Sequence, residues 1–363
     1  MRLDHLWVVD YRNYESAELA LAPVGLTVVA GDNGAGKTNL LEAIGYLATL
    51  ASFRGVPSEA LIRGGAAAAV VRGEGERAGR ALLVEAEIRA TGRGRVSVNR
   101  QPVRRAAELA GALRVSVFSP DDLELVKAGP TGRRRYLDEA LAALHPRNDA
   151  ARRDVERIVR QRNALLAQAG GRWPPPEDIV STLEVWDARL AQVGTAVGDA
   201  RAALVGRLEP AVAKAYAAVA AGESGTAGLS YDAPWREAGL AAALAAARRD
   251  EVRRGMTLVG PHRDELALTI GGMPARTHAS QGEQRSLALA LRLAAHDVVT
   301  ELVGAPPLLL LDDVFSELDG RRSAALLEHL PLGQAVLTTA GTVPAGAEPE
   351  RVLRITAGRV VAA

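Results

Sequence analysis

The chain has 363 residues, 48% of them hydrophobic, and this length favours two lobes over a single core. The absence of cysteine excludes disulfides, thiolate metal sites and cysteine nucleophiles, and it suits a reducing compartment. Residues 1–10 lack the basic-then-apolar pattern of a signal peptide, and no apolar run reaches the roughly 18 residues that span a bilayer. We therefore expect a cytoplasmic protein with no membrane partner. The net charge of +1 decides nothing about nucleic acid, because a neutral total can contain a local basic face.

The N-terminal part of the chain, residues 1–126, has the pattern of an α/β segment. Hydrophobic periodicity predicts two strands, then a helix that begins at Thr38, and then a small antiparallel insertion. The glycines assigned to its turns are Gly73, Gly75, Gly79, Gly92 and Gly94. The predicted strands are residues 3–11, 26–30, 81–89, 95–99 and 115–118.

The middle of the chain, residues 127–254, is predicted to be a separate lobe that is helical and rich in arginine. The prolines at 174–176 interrupt its helical spacing before a long third helix. The C-terminal part, residues 255–363, returns to the α/β pattern. Its predicted elements are strands at 266–270, 308–311 and 335–339, a helix at 282–302 and a closing hairpin at 351–361.

The segment from Gly31 to Thr38 matches the phosphate-loop pattern G-x-x-x-x-G-K-[ST] between a predicted strand and a predicted helix. The residues expected to contact nucleotide are Gly31, Asp32, Asn33, Gly34, Ala35, Gly36, Lys37 and Thr38. Backbone amides would surround the β-phosphate, and Thr38 would ligate Mg²⁺. Lys37 would be a catalytic residue that contacts the β- and γ-phosphate oxygens. The alternative is a glycine-rich turn that matches the pattern by chance. Lys37 is one of only three lysines among 44 basic residues, so such a chance match is improbable. We expect ATP and Mg²⁺ as cofactors.

Four leucines at 308–311 precede Asp312 and Asp313. Such a run predicts a central parallel strand, and acids at its carboxyl end lie where open α/β sheets bind ligands. Asp312 is the expected Mg²⁺ ligand, and Asp313 is placed to orient the attacking water. The alternative is that the pair only caps a helix. Because about 270 residues separate this strand from the phosphate loop, both ends of the chain must build one sheet around the helical insertion.

Ser280, Gln281, Gly282 and Glu283 lie at the start of the helix predicted at 282–302. By themselves Ser280 and Glu283 fit a capping box, which satisfies the first amides of a helix. Together with the flanking motifs, the segment resembles the signature motif of ABC-type ATPases, where a serine and a helix N-terminus contact the γ-phosphate of ATP held by the partner subunit. The resemblance implies nucleotide contacts for Ser280, Gln281 and Gly282, with Ser280 catalytic. Glu283 stands where the motif often has Gln, and this puts a carboxylate near the phosphate.

Residues 316–319 follow Asp313 as the D-loop does in ABC-type ATPases. Thr338 and Thr339 stand where many of these enzymes have a switch histidine, and Asp313 stands where most have glutamate. Because a shorter carboxylate holds water less closely, we predict slow ATP hydrolysis.

Nearly end to end, the chain resembles the RecF family of SMC-related recombination mediators. The segments that carry the resemblance are residues 10–15, 31–43, 118–138, 260–264 and 311–319. It implies an α/β fold of the ABC/SMC-type ATPase head, a P-loop sheet with an antiparallel β subdomain, and an inserted helical lobe. It also implies an ATP-dependent homodimer that clamps DNA at gaps, single strands or single-strand/double-strand junctions. With RecO and RecR, such a clamp would help to load RecA in gap repair, replication and SOS induction.

Arginine density is the main residue-level indication of DNA binding. Residues 132–172 hold ten arginines against five acids, an excess sufficient for sequence-independent contact with phosphates. The candidates are Arg133, Arg134, Arg135, Arg152 and Arg153. An ordinary solvated helix surface explains the composition equally well. The residues leave the roles of Arg12, Arg63 and His262 open.

Three other classes fit parts of the pattern. A transporter ATPase subunit predicts a Leu-Ser-Gly-Gly-Gln signature and a glutamate after Asp312, and both are absent. A chromosome-organising SMC protein needs a long coiled-coil arm, which the proline triplet at 174–176 disfavours. An ATPase–nuclease fusion needs a nuclease domain, which we do not expect after Thr339.

Overall fold

The computed structural model describes residues 1–103, 109, 111–220, 225–331, 333–356 and 358–362. The chain divides into two compact units. Unit 1 comprises Met1–Leu123, Lys214–Glu223 and Arg285–Ala363, and unit 2 comprises Glu124–Ala213 and Ser224–Gln284.

The described residues form two six-stranded sheets, a three-stranded sheet and a set of helices. The strands are β1 (Arg2–Tyr11), β2 (Tyr14–Ala20), β3 (Gly25–Ala30), β4 (Ala68–Arg77), β5 (Arg80–Arg89), β6 (Arg95–Val98), β7 (Gln101–Pro102), β8 (Val115–Phe118), β9 (Ala227–Asp232), β10 (Glu265–Ile270), β11 (Met273–Pro274), β12 (Leu308–Asp312), β13 (Gln334–Thr339), β14 (Arg351–Thr356) and β15 (Arg359–Ala362). The α-helices are α1 (Lys37–Thr49), α2 (Glu124–Lys127), α3 (Pro130–Leu144), α4 (Pro146–Gln168), α5 (Glu177–Val219), α6 (Trp235–Ala238), α7 (Leu240–Arg254), α8 (Ala275–His278), α9 (Gln281–Val303) and α10 (Gly320–Glu328).

One sheet of unit 1 brings the two ends of the chain together. Its order is β15-β14-β3-β13-β12-β8, and the strands from β14 to β8 are parallel, while β15 is antiparallel to β14. Every residue of β12 and β13 is buried, which explains the continuous apolar run of β12. Because β3 lies between β14 and β13, the prediction that both ends of the chain build one sheet is confirmed.

The other sheet of unit 1 is antiparallel, in the order β2-β1-β4-β5-β6-β7. Gln334, at the start of β13, joins it to the parallel sheet: its side-chain amide donates to the carbonyls of Leu3 (2.5 Å) and Ala22 (2.7 Å). The Leu3 amide in turn donates to Gln334 Oε1 at 2.8 Å. Apolar residues of both sheets and of α1 form one buried cluster, so unit 1 has a continuous core.

Two glycines that the sequence assigns to turns, Gly73 and Gly75, lie inside β4. A Cβ at Gly75 would stand 2.1 Å from the Arg2 carbonyl oxygen, so the close approach of β1 excludes a side chain there. Glycine therefore permits this strand pairing, and the same residues hide β4 from pattern-based prediction. The expected antiparallel β subdomain is present, and it is larger than the two strands that the alternation predicts.

Unit 2 combines helices with the antiparallel sheet β11-β10-β9. The fully buried Arg162 of α4 lies at the centre of a polar network. Its guanidinium donates to Asp187 (2.6 Å), Glu251 (2.8 Å) and the Thr257 hydroxyl (2.8 Å). Residues 255–284 pack in this unit because β10 pairs with β9 along its whole length, so the division differs from the sequence boundary at 254/255.

The C-terminal strands β14 and β15 pair as a hairpin, as predicted at 351–361. Ala357, in its predicted turn, lies outside the described residues. Among the helices of the described part of the chain, none is long and apolar enough to cross a membrane.

Candidate nucleotide-binding site

The predicted phosphate loop connects β3 to α1 at the carboxyl end of the parallel strands. Asn39 makes the first helical hydrogen bond, from its amide to the Gly36 carbonyl at 3.0 Å. The amides of Lys37 and Thr38 precede that bond and are available to an anion. Gly34 and Gly36 have φ angles of 79° and 111°, a backbone shape that favours glycine. The loop therefore has the backbone form that phosphate binding requires.

The Lys37 ammonium lies across this loop. It donates to the carbonyl oxygens of Gly31 (2.7 Å) and Asp32 (2.9 Å). An ammonium has three protons, so one remains for a phosphate oxygen. The Asp32 carbonyl also accepts from the Ala35 amide at 3.1 Å, and Asp32 and Asn33 are exposed. The geometry keeps the cation at the mouth of the loop.

The turn between β1 and β2 braces the loop from one side. Asn13 Nδ2 donates to the Ala35 carbonyl (3.1 Å), and Asn13 Oδ1 accepts from Asn39 Nδ2 (2.8 Å). A Cβ at Gly36 would lie 2.6 Å from both Asn13 Nδ2 and the Tyr14 hydroxyl, so a side chain at position 36 would displace this brace. Asn13 carries no motif signal of its own, and only its position beside a family segment could have pointed to it.

Arg12, whose role the sequence leaves open, is directed at the protein. Its guanidinium binds both carboxylate oxygens of Glu42 at 2.8 Å, and the Glu42 side chain, on α1, is fully buried. The Ser52 hydroxyl donates to the same carboxylate, and Arg12 Nη1 donates to the Ala60 carbonyl at 3.0 Å. Bidentate pairing of this kind fixes geometry, so Arg12 anchors the β1–β2 turn to the helix that follows the phosphate loop.

Asp312 meets the loop across the sheet edge. Its Oδ1 accepts from the hydroxyls of Thr38 and Thr338, both at 2.8 Å. Burial raises the pKa of Asp312, and the two hydroxyl hydrogen bonds act against that shift. The Thr338 hydroxyl also accepts from the Asp313 amide at 2.9 Å. Thr338 thus holds both acids in place. Its alignment with the switch histidine of ABC-type ATPases does not predict this role.

Asp313 has its backbone in the left-handed region, with φ 48°, immediately after β12. Its carbonyl accepts from the Ser316 hydroxyl at 2.8 Å. Its carboxylate makes no hydrogen bond or ion pair with any residue that the structure describes, and it is half-exposed. Non-glycine residues in this conformation concentrate at functional sites, and an unpaired carboxylate can accept from water.

The residues around Thr38 and Asp312 fit Mg²⁺. A hydroxyl and a carboxylate oxygen 2.8 Å apart are hard oxygen donors at the end of the phosphate loop. Within the described ranges there is no cluster of three or more His, Asp or Glu side chains that could hold a metal ion. A cation here would take its remaining ligands from phosphate and water, which is the usual manner of Mg²⁺.

The segment Ser280–Gln284 belongs to unit 2. The Ser280 amide donates to Glu283 Oε2 (2.7 Å), and the Glu283 amide donates to the Ser280 hydroxyl (3.2 Å), so the capping box forms. Gln284 is buried and its side chain donates to the carbonyls of Ala275 and Arg276. Ser280 and Gln281 are exposed, so the serine caps its helix without being enclosed.

The segment equivalent to a D-loop ends in a helix cap within unit 1. Asp319 accepts from the Arg322 amide at 2.9 Å and pairs with the Arg322 guanidinium. Arg322 Nε donates to the Ser286 hydroxyl at 3.0 Å. Asp319 thereby connects the start of α10 to α9.

The five arginines proposed for DNA contact direct hydrogen bonds at the protein. Arg133 is buried and binds both carboxylate oxygens of Glu265 at 2.8 Å, and it donates to two backbone carbonyls as well. The other four arginines also bind the protein: Arg134 the Asp264 carbonyl (2.9 Å), Arg135 Glu139 (2.7 Å), Arg152 Asp149 (2.8 Å) and Glu156 (2.6 Å), and Arg153 Asp149 (2.7 Å). At Arg135, Arg152 and Arg153, acids three or four positions away along the helices offset the positive charge that residue counting suggests.

His262 and Arg63 also have protein partners. His262 Nε2 lies 3.2 Å from the Thr257 carbonyl, and burial lowers the pKa of His262 to about 4. Its Nδ1 is buried without a partner among the described residues. Arg63 pairs with Asp10 at 2.7 Å.

Known proteins resemble the chain along its whole length. The family model of the RecF/RecN/SMC N terminal domain matches residues 2–339. The chain is 46% identical to the DNA replication and repair protein RecF of Frankia alni, a match that covers 100% of both chains. It is 44% identical to the protein of the same name from Kineococcus radiotolerans, across 98% of this chain and 97% of that one.

Solved structures agree with these sequence matches. The recombination mediator protein RecF with ATP, of the RecFOR pathway, has a TM-score of 0.88 at 28% identity, covering 100% of this chain and 97% of that chain. An SMC head bound to the C-winged helix domain of ScpA has a TM-score of 0.61 at 15% identity, covering 100% and 98%, and it shows the fold. The predicted fold class, an ABC/SMC-type ATPase head with an inserted helical lobe, is confirmed.

Proposed function

Because the chain belongs to the RecF family of DNA replication and repair proteins, we propose that it is an ATP-dependent DNA clamp of recombinational gap repair. The observation that carries the proposal is the contact between the phosphate loop and β12. Thr38 and Asp312, 274 positions apart, share a hydrogen bond of 2.8 Å at the loop that holds Lys37. A structural role would not need a phosphate-loop sequence, a cation at its mouth and a buried acid at one sheet edge.

The chemistry of the site follows from these residues. The amides of Lys37 and Thr38 and the Lys37 ammonium bind the β- and γ-phosphates of ATP. Thr38 and Asp312 would hold Mg²⁺, which would neutralise charge on the phosphates. Asp313 orients the attacking water with its unpaired carboxylate. Because an aspartate reaches less far than a glutamate, hydrolysis is slow, and the ATP-bound state persists.

The active form is a homodimer joined by ATP. Ser280, Gln281 and Gly282 of one copy contact the γ-phosphate bound by the loop of the other, and exposure of Ser280 and Gln281 leaves them accessible for this contact. The dimer holds DNA at gaps, single strands or junctions without reading sequence, and hydrolysis releases it. RecR and RecO are its partners in loading RecA, in a pathway that supports replication and SOS induction.

The proposal is tested by measuring oligomeric state and DNA binding with and without ATP. In wild type, ATP should produce a dimer and raise affinity for gapped DNA above that for intact duplex. Lys37→Arg should abolish both effects, because a planar guanidinium cannot replace a compact ammonium inside the loop. Lys214→Arg, at an exposed position, is the matched control and should behave as wild type. An ATP-driven dimer of the Lys37→Arg variant would refute the assignment of the loop, and DNA binding indifferent to ATP would refute the clamp.

A further inference from the structure

One end of the antiparallel sheet of unit 1 carries exposed arginines that no function described so far uses. Arg77 and Arg80 face each other across the β4–β5 turn, where the register pairs them directly. Arg100 lies in the β6–β7 turn, next to Asn99. All three arginines are exposed. We call these three residues the sheet-end arginines.

The two turns are held against each other by Asn99. Its Nδ2 donates to the Ala81 carbonyl (3.2 Å), and its Oδ1 accepts from the Leu83 amide (2.8 Å). This places Arg100 beside the strand that begins at Arg80. The sheet-end arginines therefore form one surface, although Arg100 is 20 positions from Arg80 in the chain.

A fourth arginine, Arg114, adds positive charge at the same end. The Arg77 guanidinium lies beside Gly111, where an added Cβ would be 3.6 Å from Nη1. Burial, and then the charge of Arg77, lower the pKa of the nearby half-buried Arg114. Arg77 and Arg114 are thus close enough for their positive charges to interact.

No acid in the part of the chain that the structure describes pairs with the sheet-end arginines. Among the residues that the structure describes, none forms a hydrogen bond or ion pair with the side chains of Arg77, Arg80 or Arg100. The described segments that meet here, residues 77–84, 99–103 and 111–118, contain four arginines and no Asp or Glu. In residues 132–172, by contrast, acids are interleaved with the arginines and pair with them.

The surface has the properties of a phosphate contact. Guanidinium groups match phosphate geometry, and their charge attracts a polyanion without reading its sequence. Among the described residues of segment 77–103, none is a large exposed hydrophobic side chain, so a hydrophobic anchor for a peptide is not provided there. We propose that the sheet-end arginines are a contact surface for the sugar–phosphate backbone of DNA. This inference rests on the proposed DNA-binding function and specifies where that binding occurs.

The position of the surface separates it from the nucleotide. β1 has 10 residues, pairs with β4 near Arg77 at its start and leads to the turn of Asn13 at its end. At about 3.4 Å per residue, roughly 30 Å of strand lie between this surface and the phosphate loop. The contribution of the sheet-end arginines to DNA affinity should therefore be the same with and without ATP.

The test compares two triple variants of the full chain by fluorescence anisotropy with labelled gapped DNA between 50 and 200 mM salt. R77A/R80A/R100A removes the unpaired arginines, and R157A/R236A/R253A removes three exposed arginines that are ion-paired to Asp154, Asp199 and Asp250. The two variants have the same net charge. In the first, the slope of log affinity against log salt should fall by about 2 to 3, and affinity at 50 mM salt should drop by about tenfold or more. The control should keep the slope of wild type.

ATP binding and ATP-dependent dimerisation are measured on the same samples, and both variants should match wild type in both. An unchanged salt slope in R77A/R80A/R100A, or a loss equal to that of the control variant, would overturn the inference while leaving the proposed function intact. If wild type itself fails to bind DNA, the proposed function fails first. Binding of poly-glutamate is measured as well. If R77A/R80A/R100A loses poly-glutamate binding but keeps the DNA affinity of wild type, the surface belongs to acidic proteins and the inference is overturned.

Discussion

Lys37 and Arg162 are both nearly excluded from solvent, at 6% and 0% exposure, but their surroundings differ in purpose. The Lys37 ammonium donates two of its protons to backbone carbonyls, and its third proton remains for a ligand. Arg162 donates to two carboxylates and a hydroxyl, and Glu251 and Thr257 are as buried as Arg162 itself. The phosphate loop keeps polar groups available, whereas the network in unit 2 pairs them with one another.

This difference separates binding from architecture better than residue type does. Counting arginines favours unit 2 as the anion-binding region. Two of the arginines there, Arg133 and Arg162, are buried and pair with acids of the same unit. A cation indicates a ligand where no described acid pairs with it, as at Lys37, which donates only to two backbone carbonyls, and at the sheet-end arginines.

Breaking the buried network should have the largest effect. Arg162→Met leaves Glu251 buried without its cation, and such a loss lowers the free energy of unfolding by about 3 to 5 kcal/mol. Chemical denaturation measures this change. Arg160→Met, at an exposed site on the same helix, is the control and should shift stability by no more than about 0.5 kcal/mol. Equal stability of the two variants would mean that the network is not structural.

The same network should make stability depend on pH through His262. The pKa of His262 is lowered to about 4, first by burial and also by the charges of Arg263, Arg134 and Arg162. Between pH 4 and 6.5 the unfolded chain therefore binds a proton that the folded chain does not, so stability is lost as pH falls through this range. The loss amounts to up to about 3 kcal/mol. In His262→Gln this part of the pH dependence of unfolding should disappear, and an unchanged dependence would contradict the assignment.

At the phosphate site, removing the unpaired carboxylate should affect turnover and spare folding. Asp313→Asn should lower the kcat of ATP hydrolysis by about 10²-fold or more, because the amide is a poor acceptor for the proton of the attacking water. The ATP-bound dimer should then persist. Asp232→Asn, at an exposed site in unit 2, serves as the control. Normal turnover by the Asp313→Asn variant would remove Asp313 from the mechanism.

Thr338 should have a smaller effect on the same step. Thr338→Val keeps the volume and removes the hydroxyl that donates to Asp312 and accepts from the Asp313 amide. A lost hydrogen bond of this kind is worth about 1 to 2 kcal/mol, so kcat should fall by about tenfold. Steady-state kinetics distinguishes this outcome from a change in KM, which would instead place Thr338 in ATP binding. Thr342→Val provides the comparison at a neighbouring threonine.

The smallest effect should come from the brace behind the loop. Asn13→Ala removes the hydrogen bonds to the Ala35 carbonyl and from Asn39, about 1 kcal/mol, and should weaken ATP affinity by about fivefold. Fluorescent nucleotide binding measures the change at constant temperature. Asn148→Ala, which removes a side-chain hydrogen bond of unit 2, is the control and should leave ATP affinity unchanged. Unaltered affinity in Asn13→Ala would show that the loop holds its shape without this turn.

Local pattern was sufficient for much of the fold and for the centre of the site. The apolar run 308–311 predicts a central strand because a strand buried on both faces must be apolar throughout, and the run at 26–30 predicts a strand. The spacing of Gly31, Gly36 and Lys37 predicts the loop because few backbones can surround a phosphate. By contrast, the pattern does not predict β4, because Gly73 and Gly75 interrupt it. Glycine is required there because β1, a distant part of the chain, packs closely against these positions.

The sequence by itself therefore determined the nucleotide loop, the acids of β12 and the family, since each depends on residues close together in the chain. Tertiary structure alone decided which polar groups stay free. Arg12 pairs with Glu42 and Arg133 with Glu265, across 30 and 132 positions, while no described acid pairs with the sheet-end arginines. The physical reason is that the charge available to a ligand depends on the acids that folding brings within hydrogen-bonding distance, and a linear count of arginines does not contain that distance.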